Sequence, residues 1–186
     1  QKVELSVSSA VHVHDPATGE LVLHMKSLAM MMKYLSYPAM ETGFGSEAQA
    51  NATLDLIWCL EPHCPGSAQD FHPDATLASC KADVHNLAGF VSRSRPVPQY
   101  AHALAYYDAA LGFEPTHCAT LEYRTELFLQ VGNASAAVAA AVTLCENCGP
   151  TSDMAVMAQA AFAASALAPY PEAACKAFTP PSSPPP

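Results

Sequence analysis

Between Pro98 and Pro150 the chain reads PQYAHALAYYDAALGFEPTHCATLEYRTELFLQVGNASAAVAAAVTLCENCGP, and no other stretch constrains the fold as much. Ala103, Leu104, Tyr107, Ala110 and Leu111 recur at spacings of three, four and seven, which gathers them on one face of an α-helix. Pro115 ends that helix, because the residue before a proline is pushed out of helical geometry. A second stripe, Leu121, Phe128 and Val131 with Leu127 beside it, runs to Gly132, the residue type that commonly closes a helix. A third segment, Ala134 to Leu144, is Ala-rich and closes at Gly149-Pro150. The turn at Gly132 is only a couple of residues long, so the helices on either side should lie antiparallel.

This spacing resembles the tetratricopeptide repeat, a helical-hairpin unit of about 34 residues with small residues where helices touch and a proline after the second helix. Ala103, Tyr107, Ala110 and Pro115 occupy its small, aromatic, small and proline positions, and Gly132 and Ala137 fit one repeat later. The chain departs from the pattern at Ala141, where an aromatic is usual, and at Leu144, where a small residue is. The match covers one and a half repeats, roughly Gln99 to Pro150. The resemblance implies a mainly α fold, an antiparallel helical-hairpin solenoid. Ser152–Leu167 and Pro171–Phe178 would continue it, and His85–Ser92 would precede Tyr100 through a long SRSRPVPQ connection. Ordinary helical hairpins without repeat ancestry are the plainer alternative.

Half the residues, 51%, are hydrophobic and 13% are charged, with a net charge of −9. Eight Lys and Arg in all make nucleic acid a poor partner, since phosphate binding needs clustered cations. No apolar run reaches the ~18 residues of a membrane span. Seven cysteines are many for a reducing compartment. Two N-glycosylation sequons occur, at Asn51-Ala-Thr53 and Asn133-Ala-Ser135, the second in the turn between two expected helices. The opening at Gln1, with neither methionine nor apolar leader, reads as a mature chain whose signal peptide has been removed. A secreted, extracellular protein is expected.

Residues 1–25 alternate instead. Val3, Leu5 and Val7 interleave with Lys2, Glu4 and Ser6, and Val11–His14 and Leu21–His24 flank the turn-forming Asp15-Pro-Ala-Thr-Gly-Glu20. A β-hairpin or ribbon is expected there, with Val3, Leu5 and Val7 forming a strand that either pairs within it or completes a neighbour's sheet. Residues 26–178 form the helical domain, with helices over Lys26–Leu35 (Ser27 a possible cap), Glu47–Leu60 and Asp74–Ser92 around a proline-punctuated loop over 62–73. The methionine run of the first reads as adaptable core.

The cysteines are Cys59, Cys64, Cys80, Cys118, Cys145, Cys148 and Cys175, an odd count that leaves one thiol free or bonded to another chain. If the repeat resemblance holds, it brings Cys118 near Cys145. Cys148 would then reach Cys175, and two of Cys59, Cys64 and Cys80 would pair. Cys145-Glu-Asn-Cys148 is a lone C-x-x-C, and a zinc site would want a second ligand pair, so disulfides are favoured. His12, His14 and His24 read as the solvent side of the ribbon rather than a metal set. No carboxylate pair, Ser-His-Asp order, phosphate loop or H-E-x-x-H is found, so neither enzymatic activity nor a cofactor is expected.

The tail Thr179-Pro180-Pro181-Ser182-Ser183-Pro184-Pro185-Pro186 is a polyproline II segment. Its composition resembles the hydroxyproline-rich glycoproteins of plant and algal walls, which implies hydroxylation and O-glycosylation along 179–186. A plain linker is the alternative. Together these features point to a secreted structural glycoprotein that assembles with copies of itself into a filament, matrix or wall, carrying covalent glycans. The alternative is a monomeric module binding a peptide or glycan on a face around Tyr100, Tyr107 and Tyr123.

Overall fold

A computed structural model describes Lys2–Leu5, Val11–His14, Leu21–Met25, residues 43–64 and residues 75–176. Three short strands, β1 (Lys2–Leu5), β2 (Val11–His14) and β3 (Leu21–Met25), form an antiparallel sheet in that order. The register sets Lys2 opposite His14, and His12 opposite His24. The expected turn at Asp15–Glu20, the helix over 26–35, Val7 and the tail 179–186 lie outside the described residues.

The described residues are mainly helical: α1 (Glu47–Leu60), α2 (Leu77–Ser94), α3 (Tyr100–Phe113), α4 (Cys118–Gln130), α5 (Ala134–Cys148), α6 (Asp153–Ser165) and α7 (Glu172–Lys176). The chain divides into two compact units, Gln1–Pro115 and Thr116–Pro186. The boundary therefore falls inside the 26–178 span expected as one domain, at the proline that stops α3.

In the first unit α2 packs on α1 and α3. Ser46 caps α1 by accepting from the Gln49 amide, and Glu47 places its negative charge in the first turn, where the exposed amides favour it. Thr76 and Ser79 cap α2 reciprocally, so that helix begins two turns before His85. Glu114 is extended, as the residue before Pro115 must be. The core is Ile57, Leu60, Val84, Leu87, Val91, Ala103, Tyr107 and Ala110. Tyr107 is completely buried and lies against Gly89, where an added Cβ would run into its ring. Glycine at 89 is therefore a packing requirement of the α2–α3 contact rather than a flexible point.

The second unit places α6 against both α4 and α5, with α7 on α5. Leu129, Ala137, Ala141 and Phe162 form its centre, flanked by Phe128, Val138 and Tyr170. Val131 ends α4. The Asn133 amide donates to the Phe128 carbonyl and the Gly132 amide to the Leu129 carbonyl, with Gly132 at φ 76°. This Schellman closure, with glycine in the left-handed position, reverses the chain within three residues. Ala166 closes α6 at φ 51°, without the freedom glycine has there.

These two positions predict opposite outcomes by denaturant unfolding. Gly89→Ala is expected to destabilise by about 1–3 kcal/mol through overpacking. Ala166→Gly is expected to stabilise by up to about 1 kcal/mol, because relief of left-handed strain outweighs the added freedom of the unfolded chain.

Candidate functional site

The chemistry of the second unit is concentrated in its cysteines. Cys118 bonds Cys148, with Cα atoms 5.8 Å apart, and Cys145 bonds Cys175 at 5.2 Å. This corrects the expected pairs Cys118–Cys145 and Cys148–Cys175. In an antiparallel hairpin turning at 131–133, the first residue of α4 is level with a point on α5 between Cys145 and Cys148. Axial position therefore does not choose between them; rotation about the α5 axis does. Cys145 is fully buried and faces Tyr170 and α7, whereas Cys148 is half-buried and faces the start of α4. In the first unit Cys64 bonds Cys80, at 5.6 Å, and Cys59 is the free thiol. Burial pushes the Cys59 thiol upward, with Asp55 adding to the shift, so it is a poor nucleophile at neutral pH.

The two sequons sit in different surroundings. Asn133 is exposed and caps α5, its Oδ1 accepting from the Ala136 amide at 3.1 Å. Asn51 lies inside α1, exposed, with Oδ1 accepting from Arg95 Nη2 at 2.8 Å. Its partner Thr53 is 2% exposed and donates to the Gln49 carbonyl. Asn51 thus belongs to a polar lock on the first unit. The Arg95 guanidinium, 7% exposed, also bonds the Glu47 carboxylate, which accepts from the Val97 amide at 2.8 Å. The lock joins the start of α1 to the α2–α3 connection.

Two of the three expected surface tyrosines are not at the surface: Tyr107 is completely buried and Tyr123 is 8% exposed. Tyr100 is half-buried at the start of α3. Tyr107 belongs to the apolar stripe that the periodicity marks as core, and the same stripe argues against a surface role.

A different ring cluster, absent from the sequence reading, lies on α1, α2 and α3. Trp58 meets His85 at 5.2 Å, edge to face, and Tyr106 at 5.5 Å. His85 also contacts Phe113 at 5.2 Å, and Lys81 lies 5.5 Å from the Phe113 ring centre while pairing with Glu61 at 2.9 Å. Trp58, His85 and Tyr106 are half-buried, and Phe113 is 41% exposed. Burial among these rings pushes His85 below its ordinary value, with Glu61 opposing and Lys81 reinforcing the shift, so the imidazole is neutral at pH 7. The available signals were the i, i+4 pair Lys81/His85 and the i, i+7 pair Tyr106/Phe113, which place each pair on one helix face.

Among the described residues no group of His, Cys, Asp and Glu is arranged to hold a metal ion, and no helix is long and apolar enough to cross a membrane. No protein-family model, characterised protein or solved structure matches the chain.

Hydrogen bonds from Arg95 and then Val97 hold the Glu47 carboxyl below its ordinary value of 4.5. A depressed acid stabilises the fold fully above its unfolded pKa, and that contribution is lost as pH falls through the folded value. Urea midpoints are therefore expected to fall as pH is lowered from about 5 toward 3. Glu47→Gln should flatten that slope while lowering stability at pH 7.

Proposed function

We propose that the chain is a subunit of a secreted structural glycoprotein that assembles with copies of itself into an extracellular filament or matrix. The observation that carries this reading is the outward face of α6. Val156 is 56% exposed, Met157 37% and, just beyond the helix, Leu167 40%, with exposed Ala160, Ala163 and Ala164 between them. No charged residue occurs from Met154 to Pro171, although the chain carries a net charge of −9. The inner face packs on α4 and α5, so the third helix of the group ends in an open apolar surface. In a tetratricopeptide-like solenoid that surface is where the next helical hairpin stacks, and here a second copy takes its place. Three disulfides are compatible with an oxidising, extracellular setting. The edge of β1, the sequon at Asn133 and the proline tail supply strand pairing, glycan attachment and a stiff spacer in the same reading. Electron microscopy of natively glycosylated material is expected to show regular filaments. Val156→Asp combined with Met157→Lys should abolish them while leaving the unfolding midpoint unchanged, and deletion of residues 1–8 should shorten them. A monodisperse monomer in the unaltered protein would overturn the reading.

A second reading, a glycan-binding module, is favoured by the cluster of Trp58, His85, Tyr106 and Phe113. Half-exposed rings beside the Lys81–Glu61 pair offer apolar faces for sugar C–H groups and polar partners for hydroxyls. Trp58 is the only tryptophan in the chain, so its intrinsic fluorescence reports on this site alone. Titration with oligosaccharides is expected to shift the emission, and Tyr106→Ala should weaken binding at least about 10-fold by removing a stacking ring. Unchanged emission across a broad oligosaccharide set would reject the module.

A further inference from the structure

We propose that Cys145-Glu-Asn-Cys148 is a thiol–disulfide exchange relay that frees the C-terminal segment from α5 when an external dithiol acts on the Cys118–Cys148 bridge. Two disulfides share the last turn of one helix. Cys148 leads to the start of α4, and Cys145 leads to α7. They differ in access: Cys118 and Cys148 are half-buried, while Cys145 is fully buried and Cys175 is 3% exposed. A soluble reductant therefore meets the outer bridge first. The inner one is reached only from within the protein.

The chemistry balances in two steps. A dithiol reduces Cys118–Cys148, becoming a disulfide itself and leaving two protein thiols. Cys148 then loses its proton, and the thiolate attacks Cys145 Sγ. The Cys145–Cys148 bond forms, the Cys145–Cys175 bond breaks, and Cys175 departs as a thiolate that takes up a proton. No further oxidant or reductant is required for this second step.

Helix geometry brings the reacting residues together. Positions three apart on an α-helix have Cα atoms about 5 Å apart, inside the range of roughly 4.4–6.8 Å that disulfides span. Because attacker and target share one rigid turn, the step is intramolecular and its effective concentration is high. The leaving group is also prepared. The Tyr170 hydroxyl lies 3.1 Å from Cys145 Sγ and 3.5 Å from Cys175 Sγ. The hydroxyl is protonated at the pH of the exchange, so it can donate a hydrogen bond to the sulfur that departs as a thiolate, which then takes its proton from solvent. The released element is small. α7 has five residues, and apart from Cys175 its side chains make the surface pair Lys176–Glu172 and a 3.4 Å contact from Gln159 to Glu172. Exchange would therefore detach α7, while α5 retains a disulfide.

Limited reduction with one equivalent of dithiothreitol at pH 8, followed by acid quench, alkylation and peptide mapping, tests the order of events. Cys118 and Cys175 are expected to be labelled together, with Cys145 and Cys148 joined within one peptide; Cys59 is labelled throughout and serves as the internal standard. Labelling of Cys118 and Cys148 with Cys145–Cys175 left intact as the lasting product would overturn the relay. Cys118→Ser removes the need for reductant. This variant is expected to carry Cys145–Cys148 and a free Cys175, whereas Cys148→Ser keeps Cys145–Cys175. Retention of Cys145–Cys175 in the Cys118→Ser protein would likewise overturn it. Tyr170→Phe should slow appearance of the Cys175 thiol several-fold in wild-type limited reduction without changing the final bridge, and an unchanged rate would remove Tyr170 from the relay.

Discussion

The second unit depends on the covalent hold that neighbouring elements have on α5. That helix reads ASAAVAAAVTLCENC, and its buried residues are three alanines, Leu144 and Cys145. Alanine buries little apolar area, so each such contact contributes far less than the ~1.5–3 kcal/mol of a buried leucine or phenylalanine. The unit spans Thr116–Pro186, near the ~70–80 residues below which one core rarely supplies sufficient stability. Two disulfides, each closing a separation of 30 residues, restrict the unfolded chain by roughly 3–4 kcal/mol apiece in the loop-entropy picture. Small side chains bring the helices close, and the cross-links supply what thin packing leaves short.

The first unit combines buried alanines with larger side chains such as Ile57, Leu60 and Tyr107. Its helices approach through one glycine, Gly89, which admits the whole Tyr107 ring between α2 and α3. A buried aromatic carries much more apolar area than any residue of α5. The Arg95, Glu47 and Asn51 lock then fixes the chain between those helices, with the cation buried and held by more than one acceptor. A buried charge left alone would be costly, so this group fixes geometry more than it adds stability. Cys64–Cys80 ties the region just after α1 to the first turn of α2.

Much of this was legible from local pattern. Glu47–Leu60 and the helix from Tyr100 to Phe113 follow from periodicity and from prolines that stop them, and Gly132 marks its turn because a Schellman closure needs a positive φ there. What depends on rotation or on distant partners was not legible. Cys145 and Cys148 are one helical turn apart, and no sequence rule says which faces α4. The helix expected over Asp74–Ser92 runs Leu77–Ser94, its start set by Thr76 answered by Ser79, whereas the familiar capping pattern has glutamate or glutamine at that position. Trp58, His85, Tyr106 and Phe113 come from three helices, so their meeting is a tertiary fact. Tyr107 shows the reverse: its periodicity already placed it in the core, and reading it as a surface residue set aside the stronger signal.

Asn133 concentrates several demands on one side chain. Its backbone amide completes the end of α4, and its Oδ1 opens α5. An N-linked sugar would attach through the side-chain nitrogen, which the cap does not use, leaving the oxygen free to accept from Ala136. Asn51 differs although its oxygen is also engaged: it lies inside a helix beside a threonine whose hydroxyl is committed to the Gln49 carbonyl. A glycan at Asn133 would therefore sit at a reversal already fixed by the backbone, where its bulk extends into solvent and the helix pair keeps its geometry.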